Sequence, residues 1–440
     1  MKLADYLVSD KEQVVAPEVA SITREQLCDA IYADVSSERI AKLGTLGHDQ
    51  ARKELTALVE QTLNVRGIEI QNAKARASLI DEALDIILGL GPLERYLKDP
   101  TITEIMVNGH DSLFVERDGV LHPCEESFAS EEQLRLVVDR IVSPLGRRVD
   151  EQSPLVNARL PEGHRVNAVI PPITLGGTAL TIRKFRDITF TLGELVENGT
   201  MPQPLAQLLS WAVRIRKNIA VSGGTGGGKT TLLNALSREI SPEERIITIE
   251  DSAELRFDTH PHVVRMEARV SNAEGKGEVT IRDLVINSLR MRPDRIIVGE
   301  CRGAEASDML QAMNTGHEGS MTTLHANAPS EVVARLVMMA RYGMDMPVEI
   351  IEGQIASALD LVVQQDRLPH GKRCVTHLVA RSIRDGNGST HMGSPFVDVV
   401  VRDRRTGAYR WLAEPDWVDD LPYLGIATRE EVEEWRQSLR

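Results

Sequence analysis

Asn218-Ile-Ala-Val-Ser222, then Gly223-Gly-Thr-Gly-Gly-Gly228-Lys229-Thr230, then Thr231-Leu-Leu-Asn-Ala-Leu236: this stretch decides how the chain is read. The first five residues form a short apolar run that stops at glycine, which predicts a buried strand. The last six open a helical pattern. Between them the spacing is G-x-x-x-x-G-K-[ST], found where such a pattern has mechanical meaning, after a strand and before a helix. Glycines allow the backbone to turn its N–H groups onto anionic oxygens, and the helix N-terminus adds partial positive charge there. Gly223, Gly224, Thr225, Gly226, Gly227, Gly228, Lys229, Thr230 and Thr231 are therefore the candidate nucleotide-binding residues, with ATP and Mg²⁺ as the expected ligands. Lys229 is placed to reach the β- and γ-phosphates, and Thr230 to offer its hydroxyl to the metal.

Working outward, short apolar strands are predicted at 245–249, 295–299 and 320–325, alternating with helical stretches. This rhythm predicts a parallel α/β sheet. Two strands end in acids: Glu250-Asp251, with Glu254 beyond, and Glu300. In an open parallel sheet the strand carboxyl ends line the ligand crevice, so both groups point at the phosphates if their strands neighbour the strand before the glycine loop. ATP hydrolysis needs a carboxylate near the Mg²⁺ and a group that orients the attacking water, and these strand-end acids are the candidates. Gly316-His317-Glu318-Gly-Ser-Met-Thr-Thr-Leu-His325-Ala-Asn-Ala-Pro329 is the other dense cluster. Position 321 is Met, so the His-x-x-x-His pair of a metalloprotease helix is missing. On a strand His317 and His325 would share one face with Thr323, and a neutral imidazole there can donate to a γ-phosphate.

The region before this core has a different texture. Residues 1–20 read as a flexible leader and 21–90 as a helical segment, with a capping box at Thr23-Arg-Glu-Gln26 and helices near 24–34, 50–64 and 71–88. Residues 91–190 read as an α+β domain, with strands punctuated by Asn108-Gly109 and Asp118-Gly119 and a helix at 131–142. Residues 191–385 are the α/β domain. Residues 386–440 read as C-terminal strands and an acidic helical tail beginning at Thr428-Arg-Glu-Glu431, a docking element or a solvated helix, after a loop at Gly386-Asn-Gly388.

Composition narrows the function. The 440-residue chain is 42% hydrophobic and 26% charged, with a net charge of −14 and 4% aromatics. An acidic chain poor in stacking side chains is a poor sequence-blind nucleic-acid binder, so no nucleic acid is expected. Cys28, Cys124, Cys301 and Cys374 lie far apart, which supports neither a disulfide framework nor a zinc ribbon. The N-terminus has no apolar signal region, and no run is long enough to span a bilayer. A cytoplasmic protein with at most peripheral membrane contact is expected.

The block from Gly223 to Pro329 resembles the type II/type IV secretion ATPase superfamily. It carries in order the Walker A loop, the Asp box at Ile249-Glu250-Asp251, the Walker B strand ending Gly299-Glu300, and the His box from Gly316. Leu88-Gly-Leu-Gly-Pro-Leu-Glu94, Ile105-Met-Val-Asn-Gly109, Gly146-Arg-Arg-Val-Asp150, Ala158-Arg-Leu-Pro-Glu-Gly163 and Leu180-Thr-Ile-Arg-Lys-Phe185 look like the CpaF branch, the ATPases of tight-adherence (Tad/Flp) pili. So do Asn287-Ser-Leu-Arg-Met-Arg-Pro-Asp294 and Gln354-Ile-Ala-Ser-Ala-Leu-Asp360. The tetracysteine module of the general-secretion branch is absent. The resemblance implies an α/β fold: a C-terminal RecA-like P-loop domain and an N-terminal α+β, PAS-like domain preceded by helices. It implies a homo-hexameric motor at the inner face of the cytoplasmic membrane, partnered by a membrane platform protein. It also implies that Arg165 and Arg183, with Arg159 as a third candidate, reach the phosphates between N- and C-terminal domains, that Glu300 serves Mg²⁺ and water, directly or through a water, that Glu250 helps polarise the attacking water, and that His325 senses the γ-phosphate. Three other readings stay open: the ATPase of a conjugative or effector-secretion system, a RecA-like nucleic-acid motor, and a nucleotide-gated regulator.

Overall fold

The computed structural model describes residues 27, 48–68, 70, 72–117, 119–128, 130–185, 190–257, 260–271, 275–369, 371–381 and 396–439. The leader at 1–20, the capping box at Thr23, most of the helix at 24–34 and the loop at Gly386 lie outside them. The chain divides into two compact units that meet between Lys184 and Phe185.

In the first unit, helices His48–Val65 and Ala73–Leu88 pack against each other, burying Leu55, Val59 and Leu63 on one and Ile80 and Leu84 on the other. A six-stranded antiparallel sheet follows, built from β1 (Ile102–Asn108), β2 (Leu113–Arg117), β3 (Val120–Pro123), β4 (Leu155–Arg159), β5 (Arg165–Val169) and β6 (Ala179–Arg183). Its order is β3-β2-β1-β6-β5-β4, so the first and last hairpins meet in the middle through β1 and β6. The helix Glu131–Val142, capped by the Ser130 side chain, buries Leu134, Val137, Val138 and Ile141 in the sheet's core. β4 has no counterpart in the sequence reading. It is an edge strand with only Val156 buried, so its apolar alternation is faint.

In the second unit, β7 (Ile219–Ser222), β8 (Ile246–Glu250), β9 (Val263–Glu267), β10 (Arg295–Val298), β11 (Met321–Leu324) and β12 (Leu361–Arg367) form a parallel sheet ordered β12-β7-β11-β10-β8-β9. β7, β8, β10 and β11 are buried throughout, as strands covered on both faces must be. Alternation still sorts the side chains. Ile219, Val221, Ile246 and Ile297 join one core cluster, while Ala220, Ile247, Ile249, Ile296 and Val298 join the other.

Beyond β12 the sheet continues antiparallel through β13 (Arg373–Arg381), β14 (Phe396–Arg402) and β15 (Tyr409–Trp411). This corrects the domain limits read from the sequence. The α/β unit does not close at 385, because β14 and β15 complete its sheet, and it starts at Phe185 rather than 191. The acidic tail is also not a solvated or free docking helix. Arg429–Ser438, with the Thr428–Glu431 capping box formed, buries Val432 and Trp435 in the core. Trp435 sits edge-on to Trp211 and Trp411, with ring centroids 5.6 and 5.4 Å away, and its indole N–H donates to the Pro204 carbonyl at 2.8 Å. Charge covers the outer face of this helix, and two apolar side chains per two turns suffice to dock it.

Among the described residues no helix is long and apolar enough to cross a membrane.

Candidate active site

β7 delivers the glycine loop to the carboxyl edge of the parallel sheet. The helix Lys229–Ser237 starts at Gly228, whose φ of 92° is left-handed, and no side chain caps it. Its first-turn N–H groups have no acceptor within the helix, so they are available to an anion. Packing also dictates the glycines. A Cβ on Gly223 would lie 2.1 Å from the Gln365 carbonyl oxygen, and one on Gly228 2.9 Å from the Gln365 side-chain nitrogen. The loop is thus a cradle held open for a ligand by the absence of side chains. Thr225 is exposed at its apex, and Thr230 and Thr231 are half-buried on the first helical turn.

Lys229 is buried and curls over this cradle, its Nζ donating to the carbonyls of Gly223 and Gly224 at 3.1 Å each. The same Nζ lies 3.4 Å from His325 Nδ1. Burial lowers the lysine pKa, and the charge of Glu300 opposes that shift. His325, just beyond β11, is kept neutral: burial and then the Lys229 ammonium lower its pKa. Its Nε2 stands 2.6 Å from Glu300 Oε1. That approach is not aligned as a hydrogen bond, and the oxygen is buried with no hydrogen-bond partner. The other Glu300 oxygen is paired with the Arg302 guanidinium. Two contacts bring the ends of β10 and β11 together here: Thr323 Oγ1 donates to the Gly299 carbonyl at 2.7 Å, and the Cys301 N–H to the Thr323 carbonyl at 2.8 Å.

Glu250, at the end of β8, is buried behind Gly299, where a Cβ would approach its Cγ to 2.7 Å. One oxygen accepts the N–H groups of Glu254 and Leu255 at 2.7 and 2.9 Å, and the other is buried without a partner. Burial pushes its pKa up to about 7, against the pull of those two hydrogen bonds.

Lys229, His325, Glu300 and Glu250 thus converge at one sheet edge, though not by the route read from the sequence. The neighbours of β7 are β11 and β12, so the Glu300 strand lies two positions away and the Glu250 strand three. His317 is a second correction. It precedes the strand instead of lying on it, and its Nδ1 is 3.3 Å from the Ala312 carbonyl. Gly319, at φ 82°, breaks any continuous strand from 317 to 325.

Sequence reasoning missed the hairpin β12–β13. Under the loop, Ser222 Oγ donates to Gln364 Oε1 at 2.6 Å, the Gln364 amide to Asp366 at 2.9 Å, and Thr376 to Asp366 at 2.7 Å. Arg373 Nε donates to the Gly226 carbonyl at 3.2 Å. Leu361-Val-Val-Gln-Gln-Asp366 does carry the available signal, an apolar run ending in polar groups like the other strand ends.

Arg165 and Arg183 belong to the first unit. Arg159, Arg165 and Arg183 are directly opposite one another across β4, β5 and β6, with Glu104 and then Glu116 continuing the row. Arg183 Nε is 3.7 Å from Glu104 Oε1. Three cations in adjacent cross-strand positions repel, and an anion on that face would relieve the repulsion.

Residues 87–409 match the family model described as type II/IV secretion system protein. A putative conjugal transfer protein of Mycobacterium tuberculosis is 39% identical over 306 residues, covering 68% of this chain and 86% of that protein. The type IV secretion system protein VirB11 of Bartonella henselae is 32% identical over 341 residues, covering 68% of this chain and 94% of that one. Among solved structures, the VirB11 ATPase of the Brucella suis type IV secretion system is 31% identical and covers 65% of this chain and 94% of its own, with a TM-score of 0.36.

Proposed function

The chain belongs to the type II/IV secretion system protein family, and on that premise we propose that it is an Mg²⁺-dependent ATPase that drives a membrane-bound assembly as a homo-hexameric ring. The observation that carries this reading is the line of Lys229, His325 and Glu300 beneath a glycine cradle with an uncapped helix start. The glycine loop and Lys229 hold the β- and γ-phosphates, exchanging the carbonyls that Lys229 now contacts for phosphate oxygens. Thr230 and Glu300 are the groups fitted to hold Mg²⁺, which when bound neutralises charge on the phosphates. Water attacks the γ-phosphorus, the bond to the bridging oxygen breaks, and the water's proton passes toward the carboxylates. A carboxylate with a pKa near 7 suits that task, and Glu250 has one. Neutral His325 donates to the γ-phosphate. The arginine row supplies positive charge to the phosphates, as guanidinium groups do in phosphoryl transfer.

For the work performed, we favour assembly of a Tad/Flp pilus at the inner membrane, supported by the flanking segments from Leu88 to Phe185 that resemble the CpaF branch. The printed descriptions of the relatives, conjugal transfer protein and VirB11, favour a second reading, the ATPase of a conjugative or effector-secretion system. Deleting the gene in its host separates the two: loss of surface pili with DNA or effector transfer intact supports the first, and the reverse supports the second.

The enzymatic reading is tested by steady-state ATP hydrolysis beside light scattering of the same sample. K229A and E300Q are expected to fall at least ~100-fold, the scale of losing one preorganised charge-stabilising group. R183A is expected to fall similarly without loss of the oligomer. A silent R183A removes the arginine assignment, and a monomer as active as the ring removes the shared-site mechanism.

A further inference from the structure

Gln365 is 2% exposed, and its side-chain Oε1 is buried without a hydrogen-bond partner. An orphaned buried amide acceptor is costly, so its presence calls for a reason. Its position supplies one. The pairing of β12 with β13 shifts register between Gln364 and Gln365, an irregularity of the kind that re-aims side chains next to functional sites. Gln364 stands opposite Ser222 in the pairing of β12 with β7, so Gln365 comes level with the first glycine of the loop.

The contacts follow from that placement. The Gln365 carbonyl is 2.1 Å from where a Gly223 Cβ would stand and 3.0 Å from where a Gly227 Cβ would stand. Its side-chain nitrogen is 2.9 Å from the corresponding point on Gly228. One residue therefore floors the loop at three glycines, its amide aimed at the turn where loop becomes helix. Beside it, Arg373 Cδ lies 3.3 Å from the same point on Gly228, and its Nε donates to the Gly226 carbonyl. The nitrogen of the amide is the end nearest Gly228, and its oxygen has no donor.

We propose that Gln365, seconded by Arg373, is a positioning residue for the phosphate loop: its side-chain amide holds the Gly223–Gly228 turn in the curve that receives a nucleoside polyphosphate. The proposal rests on the reading of the loop as an ATP site. Gln365 touches the loop and not the phosphates, so it governs nucleotide affinity and leaves the chemical step alone. A residue needed only for packing would be replaced without functional loss by an apolar side chain of equal length.

The test is fluorescence titration of the full chain with mant-ADP and Mg²⁺, together with KM and kcat for ATP, on wild type, K229A, Q365M and R373A. Q365M keeps the length and volume and removes the amide. It is expected to raise the mant-ADP Kd and the ATP KM about tenfold, with kcat within about twofold. R373A, a change at an exposed side chain that folds even if Q365M does not, is expected to raise both about threefold. If wild type binds, K229A does not, and both variants stay within about twofold of wild type, the brace is wrong and the ATP site stands. A loss of kcat at unchanged Kd likewise overturns it, placing the amide in the chemical step. If wild type itself binds no mant-ADP, the ATP reading falls and the proposal with it.

Discussion

Glu250 holds its proton more tightly in the folded chain than in the unfolded one, burial having moved its pKa from 4.5 to about 7. Between those values the native state keeps a proton that the unfolded state releases. Stability is therefore highest, as far as this group decides it, below the lower value, and falls as pH rises through the window. The full shift corresponds to on the order of 3 kcal/mol. Glutamine at 250 keeps an oxygen for the N–H groups of Glu254 and Leu255 and carries no charge to desolvate. E250Q should thus resist urea better than wild type at about pH 8 and match it at about pH 4, even as its ATPase activity falls. Parallel stability profiles for the two proteins would show that the native carboxylate is solvated after all.

At the scale of elements, what the sequence disclosed depended on whether the signal was local. The glycine loop, the strand ends at Glu250 and Glu300 and the cap at Thr428 are each written within a few consecutive residues, and each can be read there. Which strand lies beside which is not local. The parallel order β12-β7-β11-β10-β8-β9 arises from crossovers whose reach sequence spacing does not state, so neither the hairpin under the loop nor the distance of the Glu250 strand from β7 can be read there. The acidic tail misled for a related reason. Its many charges dominate any composition reading, while its buried attachment rests on Val432 and Trp435, with Leu439 packed beside them and Arg436 paired to Glu414 and Asp419. Removing that anchor with W435A should cost ~3–5 kcal/mol, as for other buried tryptophans, since it also empties the space between Trp211 and Trp411. A shift in the urea midpoint at constant slope would measure it. A change below about 0.5 kcal/mol would mean the helix is held elsewhere.

At the scale of the molecule, each unit has its own buried clusters: one contains the residues from Leu93 to Ile182, while the other two lie wholly beyond Leu192. Such units are expected to melt separately. Calorimetry should resolve two transitions, and ADP with Mg²⁺ should raise only the one belonging to residues 185–440, by about 2.7 kcal/mol at a hundredfold excess over Kd. A single transition that ADP shifts as a whole would show the units to unfold as one. The docking of Trp435 against Pro204 and Trp211 also orders events during synthesis. A chain leaves the ribosome from its amino end, and its domains close as they emerge. The first unit is fully emerged while the glycine loop is still being made, but the second lacks part of its core until Trp435 is out. The loop thus spends the remainder of translation on an unfinished sheet. On the proposed function, nucleotide binding in the nascent chain is expected to follow the emergence of an indole more than two hundred residues downstream of the loop.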